Sequence, residues 1–141
     1  MEFKHKKKYG QNFLNNKDKI LNKIIEVSNI NNNDKILEIG PGQGALTSLL
    51  VERVKKVTCV EIDKDLENTL RKKFSSKENH MLVMGDVLEV DLRKYINKGT
   101  KVVANIPYYI TSPIINKIIE NKDLIGEAYI MVQKEVGERI C

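Results

Sequence analysis

Apolar positions along the chain follow two alternating rhythms. From Asp18 to Val27 they recur at Ile20, Leu21, Ile24, Ile25 and Val27, the spacing of one helical face. The polar cluster Asn29–Asp34 breaks that pattern, and Lys35–Ile39 then reads as a short strand. Ala45–Val54 returns to helix and Val57–Ile62 to strand. Asp63 stands where it caps a helix presenting Leu66, Leu70 and Phe74 on one face. Met81–Met84 reads as a third strand, Leu88–Tyr95 as a short helix and Lys101–Ala104 as a fourth strand. Thr111-Ser112-Pro113 marks a helix start with Pro113 at the first helical position, and Ile114, Ile115, Ile118 and Ile119 form its expected buried face. Ala128–Val132 is a fifth strand, and Lys134 opens another helix.

Strands alternating with helices predict an α/β fold, a parallel sheet of about five strands covered by helices on both faces. In such sheets ligands bind beyond the carboxyl ends of the strands, where the strand order reverses. The polar candidates all follow strands: Gly40 the first, Glu61 the second, Asp86 the third and Asn105 the fourth. The fold therefore gathers residues distant in sequence along one sheet edge.

Composition narrows the picture. The chain has 141 residues, 41% of them hydrophobic, enough for one core of ordinary size. Its net charge of +5 is uneven, with Lys4, Lys6, Lys7 and Lys8 crowding the N-terminus beside His5. Such an arm reads either as a solvated tail or as a phosphate-contacting segment. Cys59, within an apolar run, and Cys141 do not form a disulfide framework, so a reducing, cytoplasmic setting is expected. No stretch approaches the ~18 apolar residues of a membrane span, no signal peptide is visible at the N-terminus, and no metal site is expected.

The loop Gly40-Pro41-Gly42-Gln43-Gly44 lies between a strand and a helix, where glycines allow a tight turn and close approach of a ligand. Glu61 closes the next strand, about 20 residues on, where an acid commonly accepts hydrogen bonds from ribose hydroxyls. Nicotinamide dinucleotides and S-adenosylmethionine share that requirement. The dinucleotide spacing G-x-G-x-x-G is not met, because the glycines here run G-x-G-x-G. Gly85-Asp86 adds a second acid, with Val87 beside it, at the next strand end. An acid-rich pocket suits a sulfonium with an amino-acid tail better than a pyrophosphate.

Asn105-Ile106-Pro107-Tyr108 places an amide, a rigid turn and an aromatic ring together after the fourth strand. An adenine exocyclic amine is a poor nucleophile because its lone pair is delocalised into the ring. The Asn105 side-chain oxygen and the Ile106 carbonyl are suited to accept its two N–H groups. Stacking on Tyr108 adds about 1–3 kcal/mol. No strong base is needed, since the proton becomes acidic once the methyl has moved, so catalysis rests on alignment. Tyr109 is ambiguous and reads equally as a packing residue.

These segments together resemble the ribosomal RNA adenine N6-dimethyltransferases, specifically the small-subunit dimethyladenosine transferases. The resemblance is carried by Tyr9–Leu14, Glu38–Gly42, Val60–Asp63, Gly85-Asp86, Asn105–Tyr108 and Val132–Val136, in the family's order. It implies a Rossmann-like, S-adenosylmethionine-dependent methyltransferase fold with strand order 3-2-1-4-5. Residues 1–16 would form a basic arm and cofactor-covering segment, and residues 17–141 the catalytic domain. Asn12 and Leu14 would close over the cofactor. Gly40 and Gly42 would lie by its methionine part, Glu61 would bind the ribose, and Asp86 with Val87 the adenine end. Asn105 would sit between cofactor and target amine. The implied target is a pair of adjacent adenines near the 3' end of the small-subunit RNA, each receiving two methyl groups.

The erythromycin-resistance branch, acting on large-subunit RNA, is the closest rival; Pro41 and Gln133–Val136 resemble the small-subunit branch more. A non-catalytic ribosome-assembly factor and a nicotinamide oxidoreductase are the competing classes, and the second leaves Asn105–Tyr108 without a task. Members of the family continue into further strands, a Phe-x-Pro-x-Pro loop and a helical domain. The chain is therefore expected to keep cofactor binding, to lose RNA docking and to self-associate through an exposed fifth strand.

Overall fold

The computed structural model describes residues 19–133. The chain divides into two compact units, Met1–Ile30 and Asn31–Cys141. In the first, residues 19–28 are helical (α1), with Leu21 and Ile24 buried and Ile20 and Val27 exposed. Ser28 ends α1 by donating its hydroxyl to the Ile24 carbonyl at 2.6 Å.

The second unit is a parallel sheet of β1 (Lys35–Ile39), β2 (Lys56–Glu61), β3 (His80–Met84), β4 (Thr100–Pro107) and β5 (Ile125–Gln133), ordered β3-β2-β1-β4-β5. Its connections carry α2 (Ala45–Val51), α3 (Glu67–Lys73) and α4 (Thr111–Glu120). This is the expected Rossmann-like sheet. The central strands are apolar on both faces because helices cover both. One face packs Leu37, Ile39, Val60, Val102, Ala104 and Ile106 against Val87, Leu92, Ile96 and Ile114. Burying each such aliphatic side chain contributes about 1.5–3 kcal/mol. On the opposite face Glu38 and Cys59 meet Thr47 of α2. Lys101 is tolerated near the start of a central strand because Asp34 pairs with it at 3.1 Å.

Several element boundaries differ from the periodicity. β4 continues through Pro107, since β5 pairs with it to the end: Asn105 faces Met131, Ile106 faces Val132 and Pro107 faces Gln133. The polar amide and the proline mask strand character that the partner strand imposes. β5 likewise begins at Ile125, before Ala128. β2 stops at Glu61, leaving Ile62 63% exposed. α2 ends at Val51, with Arg53 and Val54 turning back onto the Leu50 carbonyl. Asp63 caps a 3₁₀ turn, Lys64–Leu66, ahead of α3. The helix expected at Leu88–Tyr95 is a turn followed by the 3₁₀ segment Leu92–Lys94, capped by Asp91. Pro113 is the third residue of α4, not the first; its missing N–H costs nothing anywhere in the first turn. Ile114 is buried, but Ile115 and Ile119 are exposed, because only one stripe of so short a helix faces the sheet. The helix expected from Lys134 lies outside the described residues.

Gly44 is pinned by packing as well as by its dihedral angle. Its φ is +90°, and a Cβ there would stand 2.8 Å from the Phe74 ring and 3.3 Å from Leu70. Phe74 also packs on His80, ring centroids 4.6 Å apart. We expect Gly44→Ala to lower unfolding stability by about 2–4 kcal/mol, combining left-handed strain with overpacking. Gly42, φ +60° with open space around it, supplies the control. Its alanine variant should lose only about 1–2 kcal/mol. Equal shifts in urea midpoint for the two variants would refute the packing contribution.

Candidate functional site

The carboxyl ends of β1, β2, β3 and β4 converge on a cavity of about 310 Å³. Its walls rest on backbone bonds that extend the sheet: Gly40 N–H donates to the Val60 carbonyl at 3.0 Å, and Gly85 N–H to the Glu61 carbonyl at 2.8 Å. From the β1 loop come Gly40 and Gly42, from β2 Glu61, from β3 Asp86 and Val87, and from β4 Asn105, Ile106 and Pro107. The position lies between β1 and β4, where the strand order reverses. Gly40, at φ +73°, brings the loop close to β4, since a Cβ on it would lie 3.5 Å from the Asn105 carbonyl oxygen.

Glu61 is buried and fixed by two backbone donors. Gly42 N–H donates to its Oε1 and Asp63 N–H to its Oε2, each at 3.0 Å. A carboxylate accepts about four hydrogen bonds, so lone pairs remain for a diol. Asp86 closes an Asx turn, its Oδ1 accepting from Leu88 N–H at 2.9 Å. Ile62, Leu66, Ile110 and Ile114 add apolar surface beside these acids. A flat, partly apolar group with hydroxyls at one end fits that combination, and the donor set fits a nucleoside.

The cavity takes in eight of the site residues expected from the sequence: Gly40, Gly42, Glu61, Asp86, Val87, Asn105, Ile106 and Pro107. Tyr108 begins a 3₁₀ turn, is 62% exposed, and is not among the lining residues. Its neighbour Tyr109 lines the wall. Asn12, Leu14, Lys4, Lys6, Lys7 and Lys8 lie outside the described residues. The sequence reading missed Ile62, Asp63 and Leu66. The available signal was an exposed apolar residue directly after a strand-end acid. Among the described residues there is no cluster of His, Cys, Asp or Glu that would hold a metal ion, and no helix long and apolar enough to cross a membrane.

Glu38, beneath the glycine loop, was also missed as a site residue. It is 2% exposed, and its Oε1 accepts from Thr47 Oγ1 and from Cys59 Sγ at 3.5 Å. Burial raises its pKa from 4.5 to about 7, with the charge of Glu61 adding to the rise and the Thr47 and Cys59 hydrogen bonds opposing it. Burial, followed by the charge of Glu38, pushes the Cys59 thiol well above its ordinary range. A raised acid favours the folded state while protonated. Its contribution is complete below about 4.5 and is lost as pH rises through about 7. Stability should therefore fall across that window by on the order of 3 kcal/mol from this group. Glu38→Gln should raise the urea midpoint at about pH 8 and leave it nearly unchanged at about pH 5. A parallel pH profile for the variant would disprove the assignment.

The sheet order, with an acid-lined cavity at its switch point, is a Rossmann-like arrangement, and its likeness to solved rRNA methyltransferases places it in the S-adenosylmethionine-dependent methyltransferase class. The family model for ribosomal RNA adenine dimethylases matches residues 2–141, and the chain belongs to that family. It is 92% identical over 141 residues to a ribosomal RNA small subunit methyltransferase A from Fusobacterium nucleatum subsp. nucleatum, covering 100% of this chain and 53% of that protein. A protein of the same name from Caldanaerobacter subterraneus subsp. tengcongensis is 47% identical over 143 residues, covering 98% of this chain and 53% of the relative. The chain thus spans about half the length of the curated relatives it matches. Among solved structures, the 23S rRNA methyltransferase ErmE superposes with TM-score 0.72 at 34% identity, over 82% of this chain and 46% of its own. A dimethyladenosine transferase from Plasmodium falciparum gives 0.70 at 36%, over 86% and 43%.

Proposed function

We propose that this chain holds the catalytic core of an S-adenosylmethionine-dependent enzyme that methylates N6 of adenines in small-subunit ribosomal RNA, dimethylating two adjacent adenines near its 3' end. The observation that carries this reading is the meeting of Glu61, Asp86 and the Gly40 loop with Asn105–Pro107 in one cavity. Bound there, the cofactor supplies an electrophilic methyl group on a sulfonium. The residues of the chain do the rest. Glu61 accepts the ribose hydroxyls, and the turn at Asp86 and Val87 borders the adenine. The Gly40–Gly42 loop admits the methionine part. The Asn105 side-chain oxygen and the Ile106 carbonyl accept the target N–H groups, turning the amine lone pair toward the methyl. Tyr108, exposed at the rim, offers its ring to the base. Alignment of this kind is where most of the rate gain arises.

The 92% identity to a small-subunit methyltransferase supports that branch. The likeness to ErmE keeps large-subunit RNA as a second reading. Methyl transfer from labelled cofactor to unmodified small and large subunits, with calorimetry against S-adenosylmethionine and NAD, tests both. Transfer to large-subunit RNA alone favours the second reading; binding of NAD without S-adenosylmethionine defeats both. Ribosomal RNA is the proposed partner, the cytoplasm the proposed compartment, and Lys4, Lys6, Lys7 and Lys8 the proposed phosphate contacts. Removing those charges should flatten the salt dependence of RNA binding. Self-association is a further proposed contact, tested by scattering profiles over a range of concentrations.

A further inference from the structure

The cofactor reading leaves one ionisable group in the floor of the site unused. Glu38 sits on β1 immediately before Ile39 and Gly40, both of which line the cavity, yet it does not line the cavity itself. Its surroundings are settled on every side the structure describes. From β2 it meets the Cys59 thiol and feels the charge of Glu61. From α2 it meets the Thr47 hydroxyl. Opposite it on β4 stands Val103, which carries no charge. Among the described residues no cation lies within ion-pair distance of it. A carboxyl placed this way has hydrogen-bond donors on one oxygen and a like charge nearby, and no described cation neutralises it. The missing element is a positive charge, and the adjoining cavity is the place from which one would act.

We propose that Glu38 is a charge-sensing, specificity-determining residue for the methyl donor: it gives up its proton to solvent when a cationic sulfonium occupies the cavity and keeps it when the neutral thioether product does. The inference rests on the cavity being an S-adenosylmethionine site. Burial, with a smaller addition from the charge of Glu61, holds Glu38 protonated; the sulfonium would offset part of that cost of ionisation, and the ionised Glu38 in turn attracts the sulfonium. Transfer of the methyl group removes the cation, Glu38 takes a proton back, and that attraction vanishes. The device weakens product binding relative to donor binding without touching either ligand. Linkage fixes the sign: donor binding releases protons near neutrality, so donor affinity rises with pH while product affinity does not.

Calorimetry of the whole chain at about pH 6.5, in buffers of different ionisation enthalpy, counts the protons directly. S-adenosylmethionine should release a substantial fraction of one proton, and S-adenosylhomocysteine close to none. From about pH 5.5 to 7.5 the ratio of product Kd to donor Kd should rise about sixfold, approaching at higher pH the roughly tenfold limit of a one-unit pKa change. Glu38→Gln should abolish both the difference in proton release and the slope. The proton count on the unaltered chain stands alone should that variant fail to fold. Equal release with the two ligands, or release unchanged in Glu38→Gln, would overturn the proposal. Binding of neither ligand would overturn the reading of the cavity and this inference with it.

Discussion

Asn105→Ala is expected to slow methyl transfer about a hundredfold or more while weakening S-adenosylmethionine binding only several-fold. The asymmetry follows from where the residue stands. Asn105 occupies a paired position near the end of β4, beside the Gly40 loop and facing the cavity from the side opposite Glu61 and Asp86. Its proposed work is to accept a hydrogen bond from an amine that gains positive charge as the methyl arrives. That interaction strengthens toward the transition state, so its loss appears in kcat before Kd. Asn105→Asp keeps an acceptor of the same shape and should retain more activity than alanine. Single-turnover assays on unmodified small subunits, with the substitution carried both in this chain and in a version extended to the length of its relatives, and with cofactor affinity measured in parallel, separate the two effects. A variant that binds cofactor a hundredfold more weakly yet transfers at the normal rate once saturated would assign Asn105 to cofactor binding alone.

Glu61→Ala should act in the opposite sense, weakening S-adenosylmethionine binding about a hundredfold. Two hydrogen bonds from a ribose diol to a carboxylate are worth about 1.5–3 kcal/mol each, and replacement by water returns part of that. A net loss of about 3 kcal/mol corresponds to roughly two decades in Kd. The alanine variant also leaves the Gly42 and Asp63 N–H groups without their 3.0 Å acceptor, which loosens the wall the ligand rests on. Glu61→Gln keeps one acceptor oxygen and should fall between the two. Calorimetry on the variants decides the matter. An alanine variant within threefold of the unaltered chain would remove Glu61 from the ribose role.

The sheet was legible because its signals are local and redundant. Each strand is a short apolar run, each is followed by a turn residue or an acid, and the strand-end positions carry the polar groups. The sequence alone therefore brings Gly40, Glu61, Asp86 and Asn105 together. What stayed hidden depends on contacts between distant segments. Asn105 and Pro107 carry little strand propensity of their own, and pairing with β5 holds them in the strand around Ile106. The 3₁₀ turn Leu92–Lys94 has helical composition, but the chain reaches β4 too soon to build a full helix. Ile115 and Ile119 match a buried periodicity that only the position of the sheet contradicts. Glu38 read as one letter of a glycine-loop motif. Its burial, which gives it an unusual proton affinity, exists only once β1, β2 and α2 are assembled.

The continuation of β4 to Pro107 makes the clamp part of the sheet's reading frame. Side chains alternate across a strand, so Asn105 and Ile106 point to opposite faces. A slip of β4 by a single residue would exchange them, leaving an isoleucine where the amide belongs. The frame is held from both sides, by β1 along Lys101–Ala104 and by β5 along Lys101–Pro107, with one break in step between Thr100 and Lys101. Which side chain greets the incoming base is thus decided partly by β5, a strand that lines none of the cavity. A substitution that loosens the β5 ladder is consequently a change to the candidate site, although it touches none of its residues.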